Sequence, residues 1–225
     1  MINVQDCLKD FRCKIGVSDE APINLKECFL KLNILVLFKD MTDNVKGLSV
    51  KDSETGLSAI LINSKLSVGK QHETIAHELF HVLYDDTLGS ESSEMESEAN
   101  EFASYLLLPK CGLEQYKAEL SVKDENVVLQ TILIIENRYR ISRELLLRRI
   151  ADDHLCDETI IKKIQSIDIE ASAESKGYSR KLYQANNRDL LISDYENLAK
   201  NLLDDNKISE GHYTELINLI GNGKD

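Results

Sequence analysis

The apolar and polar residues in the first third of the chain predict a helix followed by a small sheet. Residues 34–38 form an apolar run of strand length, and the segments 47–51 and 57–63 flank a stretch of turn composition at 52–56. We therefore expect a β-hairpin over the last two segments, leading directly into the next helix.

That next helix is predicted over residues 71–84 and has two different faces. At 100° per residue its apolar side chains cluster on one side, whereas His77 and His81 fall on the other. His72 maps to the apolar side, so we interpret it as a packing or surface histidine and not as a metal ligand. One face of the helix is thus expected to pack and the other to line a cleft.

The remainder of the chain has helical periodicity almost throughout. One helix is predicted from about Ser93 to Leu108, ended by Pro109, and Ser142 and Ser209 are expected to cap two later helices. This pattern predicts an α+β fold, in which a small sheet packs on a pair of helices and a mostly helical C-terminal region follows. The later helices are predicted at residues 125–139, 142–154, 157–169, 193–204 and 209–220.

The composition is that of a globular protein. Hydrophobic residues make up 42% of the 225 residues and charged residues 29%, far from the profile of a disordered chain. The chain has no run of eighteen apolar residues, and its first residues lack the features of a secretion signal, so we expect no membrane span and a cytoplasmic location. Five scattered cysteines without a Cys-x-x-Cys pair suggest neither a disulfide framework nor a thiolate zinc ribbon, and we interpret them as reduced and mostly structural.

The net charge of −12 opposes binding of the whole surface to a phosphate backbone. A local exception is a group of arginines around two predicted helices joined by a short turn, the outline of a helix-turn-helix. The favoured interpretation is a structural helix pair whose arginines balance nearby acids, so direct nucleic-acid binding is not expected. The alternative is a regulator that binds DNA or a partner protein, with a metal for structure or sensing. The arginines are Arg138, Arg140, Arg143, Arg148 and Arg149.

Residues 77–81, His-Glu-Leu-Phe-His, carry the clearest chemical signal in the chain. Histidines four residues apart on a helix project from the same face, so both imidazoles can reach one metal ion. Glu78 lies beside them, where it can take a proton from water at such a site. A catalytic zinc usually has three protein ligands, so one ligand remains to be found.

The acidic segment 85–101 offers seven carboxylates and no Lys or Arg. We interpret it mainly as a solvated loop and helix start, with a negative rim that attracts basic substrates as the alternative. On the predicted 93–108 helix, Glu96 turns most nearly inward. Glu96 is either the missing ligand or the partner of Ser93 in a capping box, and periodicity leaves both open. Asn100, one turn later, could hold a ligand by a hydrogen bond.

The stretch from this motif to Pro109 resembles the ImmA/IrrE family of metallopeptidases. In that family a helix of the form Glu-x-[Glu/Gln]-Ala-[Asn/Asp]-x-Phe-Ala, closing in Leu-Leu-x-Pro, follows the His-Glu-x-x-His helix, and residues 96–109 here fit this form. The resemblance is strongest over residues 58–109, and residues 141–149 are also similar to family members. Two positions depart from the family: Phe80 stands where glycine is common, and Tyr105 where an acidic residue is frequent.

The resemblance implies a zincin-like fold and zinc-dependent cleavage of peptide bonds. It makes Glu78 the catalytic base, and Asn100 matches the polar position one turn after the third ligand. Zinc is the expected cofactor, and manganese or iron could occupy the same ligands. The metal ligands that the resemblance implies are His77, His81 and Glu96.

Family members are often encoded in mobile elements and cleave or inactivate helix-turn-helix repressors, so a repressor is the implied protein substrate. We then expect three regions: a zincin-like metallopeptidase core at 1–110, a helical continuation at 111–156 and a helical extension at 157–225. The sequence does not single out a donor for the oxyanion of the reaction. The available side chains are Tyr84, Tyr105, Tyr139 and His154, the last of which we interpret as a surface or helix-end residue.

Overall fold

The computed structural model describes residues 3–52, 54, 56–85, 92–185, 190–192 and 195–221, and it has the α+β fold that the sequence predicts. A 3₁₀ turn, Arg180–Leu182, precedes the last strand. In chain order the elements are α1 (Val4–Ile15), α2 (Leu25–Leu32), β1 (Ile34–Lys39), β2 (Gly47–Lys51), β3 (Ser58–Asn63), α3 (Val68–Tyr84), α4 (Ser93–Leu107), α5 (Lys110–Glu114), α6 (Lys117–Leu120), α7 (Glu125–Tyr139), α8 (Arg143–Asp152), α9 (Glu158–Gln165), α10 (Ile169–Ser175), β4 (Leu190–Ile192), α11 (Tyr195–Asp204) and α12 (Glu210–Gly221).

The sheet has four strands in the order β2-β3-β1-β4. The predicted hairpin is confirmed, because β2 and β3 pair antiparallel, whereas β1 pairs parallel to β3. The strand β4, which the sequence analysis did not predict, pairs antiparallel to β1 and joins the C-terminal region to the sheet. Within the part of the chain that the structure describes, β2 is therefore an edge strand.

Most predicted helices lie where the periodicity places them, and α7 has the predicted bounds. The predicted helix 157–169 is instead two helices, because the Asp168 side chain accepts the N–H groups of the first turn of α10 and so starts a new helix. Ser142 and Ser209 are confirmed as caps, since each hydroxyl accepts a backbone N–H three residues on. The predicted start of the 193–204 helix, Ser193, lies outside the described residues.

One hydrophobic core joins the sheet to the helices that precede α3 in the chain and to those that follow it. The inward side chains of β1 and β3, such as Val36 and Ile60, are fully buried, as are Leu79 of α3 and Phe102 of α4. Among the described residues, no helix has the length and apolar character needed to span a bilayer.

The start of α3 lies directly against the turn between α7 and α8. A Cβ atom at Gly69 would lie 2.9 Å from the backbone nitrogen of Ser142 and 3.1 Å from the carbonyl carbon of Ile141. Nearby, the His72 ring contacts the Arg140 carbonyl at 2.8 Å, so its Nδ1 carries the proton and donates. This hydrogen bond from His72 connects α3 to the turn. His72 therefore does not belong to the group formed by His77 and His81.

Replacing Gly69 with alanine is expected to lower the free energy of unfolding by about 2 kcal/mol, because backbone atoms cannot move aside as a flexible side chain can. The matched control is Gly211→Ala, at the same position of α12, where the nearest neighbour is 3.9 Å away. The control is expected to be neutral or slightly stabilising, because alanine is the better helix former. Urea unfolding of both variants tests this, and equal stabilities would contradict the close approach.

The protein is expected to lose stability in acid through His72. Burial lowers the pKa of His72 to about 4, whereas the unfolded chain binds that proton from about pH 6.5 downward, so the free energy of unfolding falls between pH 7 and pH 4. Between pH 7 and pH 5, metal-free wild type should lose about 1–2 kcal/mol more than metal-free His72→Gln. Urea titrations at the two pH values measure this difference, and parallel losses would show that His72 is not the group responsible.

Candidate metal centre

Three side chains from two helices meet at the open side of α3. His77 and His81 project from α3 one turn apart, and Glu96 reaches them from the first turns of α4. Their nearest ligand atoms lie within 4.8 Å of one another, the only such group of three potential metal ligands among the described residues. The structure therefore brings together the three residues that the family resemblance implies.

The alternative role of Glu96 is wrong. Ser92, not Ser93, caps α4, and its hydroxyl accepts the Met95 N–H, so Ser93 lies one residue inside the helix and forms no capping box. Glu96 is thereby free of the helix start and points its two carboxylate oxygens at the two imidazoles.

Hydrogen bonds fix the tautomer of each imidazole. The Asn100 amide nitrogen donates to the Glu96 carbonyl at 2.7 Å, which leaves the Asn100 oxygen facing His77 Nδ1 at 3.2 Å. An oxygen can only accept, so His77 carries its proton on Nδ1. His81 Nδ1 faces the Asp85 carboxylate, also at 3.2 Å, and donates to it in the same way. In the neutral form, each imidazole therefore presents a bare lone pair at Nε2.

These bare lone pairs point at each other and at a carboxylate. The two Nε2 atoms are 3.2 Å apart, and each lies 3.3 Å from one oxygen of Glu96. Four acceptors at such distances repel one another unless a proton or a metal cation lies among them. Tetrahedral zinc with ligands at about 2.0–2.1 Å has ligand-to-ligand distances of ~3.3–3.4 Å. The donor set and its spacing thus fit a zinc ion.

Asp85 is the residue of this site that the sequence analysis missed. It belongs to the acidic segment interpreted as solvated, yet it is only 5% exposed, and its backbone N–H also caps α3 by donating to the His81 carbonyl. The signal was available, since a carboxylate four residues after the second histidine lies one turn away at the helix end. Residues 86–91 of the same acidic segment lie outside the described residues.

Glu78 lies between the helix and the edge strand. It is 8% exposed and lines the same cleft of about 1000 Å³ as the three candidate ligands. A Cβ atom at Gly47 of β2 would come within 3.1 Å of the Glu78 carboxylate and 2.5 Å of Thr74. A side chain at this position would clash with the Thr74 methyl group, so glycine is what lets the strand lie this close to α3.

Within the described residues, the edge of β2 that borders the cleft has no neighbouring strand. Lys46 accepts a hydrogen bond from Asn63, and Asp52 donates one to Leu57, so the even-numbered residues of this strand bond to β3. In an antiparallel ladder the alternate residues direct their N–H and C=O groups to the other side. Gly47 and Ser49 therefore present their backbone groups to the cleft.

The four candidates for the oxyanion role lie elsewhere. Among the described residues that line the cleft there is no tyrosine and no third histidine. The Tyr84 hydroxyl donates to Asp10, Tyr105 stacks on Arg149, and Tyr139 lies against Gly112. The role that the sequence left open is thus not filled by these side chains in the described structure.

The two departures from the family are accommodated by packing. Phe80 is fully buried in an aromatic group behind the site, with its ring centroid 5.5 Å from Phe102 and 6.0 Å from His81. Tyr105 lies with its ring 3.9 Å from the guanidinium of the buried Arg149, so a cation–π contact stands where an acidic residue would form an ion pair. Neither change removes a group from the cleft.

Most of the arginines near α7 and α8 form hydrogen bonds or ion pairs with other residues of the chain. Arg143 is 7% exposed and donates to the fully buried Glu136 at 2.6 Å and 3.1 Å. Arg149 is 3% exposed and donates to carbonyls at the end of α4. Arg148 forms an ion pair with Glu73 of α3. Buried guanidinium groups cannot reach a DNA backbone, which favours the structural interpretation of this helix pair.

A known protein family and a solved structure are similar to this chain. The sequence profile of Peptidase_M78, described as the IrrE N-terminal-like domain, matches residues 30–151, more than half of the chain. Among solved structures, the chain is similar to a Mycobacterium tuberculosis transcriptional regulator, with 18% identity and a TM-score of 0.46 over 67% of this chain and 47% of that one. The chain thus spans about half the length of that protein. No curated protein matches the chain significantly. The family match covers both helices that carry the candidate ligands, and this chain belongs to the Peptidase_M78 family.

Proposed function

We propose that this protein is a zinc-dependent endopeptidase that cleaves a regulatory protein, such as a helix-turn-helix repressor of a mobile element. The observation that carries the proposal is the convergence of two bare imidazole nitrogens and one carboxylate at the spacing of a tetrahedral zinc site. Family membership supports the same reaction class. We choose a repressor as the substrate because members of the ImmA/IrrE family cleave or inactivate helix-turn-helix repressors. We also propose that the protein is cytoplasmic.

The site residues divide the chemical work among them. His77, His81 and Glu96 would hold the zinc ion, leaving a fourth position open to water or substrate. When bound, zinc supplies Lewis acidity toward water and the scissile carbonyl. Asn100 and Asp85 hold the two histidine rings in the tautomer that binds a metal. Glu78 accepts a proton from the attacking water and passes it to the leaving amine.

The edge strand gives the substrate a place to bind. An extended peptide can pair with the outward N–H and C=O groups of Gly47 and Ser49, as in other proteins that bind a peptide by adding a strand to a sheet. Such a peptide would lie along α3, beside Glu78 and the metal ligands, because all of these residues line one cleft. This arrangement favours a peptide substrate over a small molecule.

The Glu78→Gln protein is expected to keep its zinc and its fold but to lose at least about a hundredfold in cleavage rate, because the amide cannot accept the proton. Cleavage is followed by mass spectrometry of helix-turn-helix repressors encoded beside this chain, and zinc is measured by elemental analysis. His77→Ala is the companion variant and should lose both zinc and activity. Normal turnover by Glu78→Gln would remove Glu78 from the catalytic role.

Asp85→Ala is expected to bind zinc about 10–100-fold more weakly, because His81 loses the group that orients its ring. Competition with a chromophoric chelator measures the dissociation constant of zinc. Glu101→Ala is the control, since that carboxylate is exposed on α4 and lies five residues after Glu96, on another face of the helix. If both variants bound zinc as wild type does, Asp85 would have no part in the metal site.

A further inference from the structure

The two faces of the edge strand β2 differ sharply in environment. Side chains alternate along a strand, and the Cβ direction at Gly47 points at Thr74 and Glu78 of α3. Ser49 therefore faces α3 as well, whereas Leu48 and Val50 point to the opposite side of the sheet. There Leu48 is 56% exposed and Val50 51% exposed.

The exposed side chains of β2 continue into an apolar surface on β3. Leu48 is paired with Leu61, and Val50 with Ala59, so the four side chains lie on one face of the hairpin. We call Leu48, Val50, Ala59 and Leu61 the outer apolar face. Single exposed apolar residues need no explanation, but a contiguous apolar face on an open edge strand is a surface that proteins normally avoid, because it invites pairing with another chain.

The same strand edge offers its backbone to the catalytic cleft. A chain that pairs with the outward groups of Gly47 and Ser49 places alternate side chains on the two faces of the extended sheet. Its residue opposite Ser49 faces α3 and the metal ligands. Its residues opposite Leu48 and Val50 lie on the outer apolar face. Apolar side chains there would pack favourably against leucine and valine, whereas charged side chains would lose hydration without gaining a partner.

We infer that the protein selects substrate segments of the pattern apolar-x-apolar, in which the two apolar side chains cover the outer apolar face and the middle residue faces the catalytic groups. Leu48 and Val50 are then specificity-determining residues. The occupant is a substrate segment and not a second copy of this chain, because the exposed apolar side chains belong to the strand that borders the catalytic cleft. The inference rests on the proposed peptidase function for the position of the metal, but it concerns binding and can be tested without turnover.

The test uses two labelled twelve-residue peptides of identical composition, each flanked by lysines. In one, Val and Leu alternate with Ser and Gln; in the other, the same apolar residues are adjacent in pairs. Fluorescence anisotropy measures their binding to the zinc-loaded Glu78→Gln protein. We expect the alternating peptide to bind about tenfold more tightly, and the Leu48→Thr/Val50→Thr double variant to lose this preference.

Leu30→Gln is the matched control, because Leu30 is similarly exposed at 49% but lies on α2, away from the cleft. It should keep the preference, and thermal unfolding should show that the double variant is folded. Equal binding of the two peptides, or an undiminished preference in the double variant, overturns the inference. Concentration-dependent dimerisation of wild type that the double variant abolishes would also overturn it, in favour of a second copy as the occupant.

Cleavage of the same peptides by wild type separates this inference from the proposed function. Pattern-dependent binding without cleavage by wild type would sustain the recognition surface and count against the peptidase. Cleavage of both peptides at rates that the double variant does not change would sustain the peptidase and reject the role of Leu48 and Val50.

Discussion

The candidate metal centre depends on two histidines, His77 and His81, that each carry a proton on Nδ1, the ring nitrogen farther from the centre. Asn100 and Asp85 are both acceptors, and each faces an Nδ1 atom, so the Nε2 lone pairs converge with the carboxylate of Glu96. Lone pairs and carboxylate oxygens at these distances repel one another unless a proton or a cation lies among them. A divalent cation would satisfy all three side chains at once, and the fold thus presents them already converged.

The fold holds this arrangement from three sides. The aromatic side chains of Phe80 and Phe102 lock α3 against α4 and so set the distance between the histidines and Glu96. Gly69 lets the start of α3 lie against the turn before α8. On the open side, Gly47 brings the edge strand to Glu78. Two glycines and one aromatic pair thus determine how close α3 lies to its neighbours.

Much of this could be predicted from the sequence, because the signals are local. The histidine spacing, the hairpin and the span of α7 follow from periodicity along a single element, and the family resemblance supplied Glu96. The role of Asp85 was missed because acidic composition predicts solvation, whereas burial depends on which helix end lies beneath the residue. The strand β4 was missed because three residues carry no periodicity, and its partner β1 lies about 150 positions earlier. The open edge of β2 is likewise a property of the assembled sheet.

The segment before strand β4 also connects the start of α3 to the C-terminal region of the chain. The Val68 N–H of α3 donates to the Gln184 carbonyl, Ser67 and Ala185 form a bridge, and Tyr183 donates to the buried Glu136. Tyr183, Gln184 and Ala185 lie beyond the matched family region, which ends at residue 151. During synthesis on the ribosome, the helix that carries both histidines therefore emerges long before the segment that secures its first turn. The contacts that hold the first turn of α3 form late, after more than a hundred further residues have been translated, and a chain arrested earlier would expose an incompletely paired sheet.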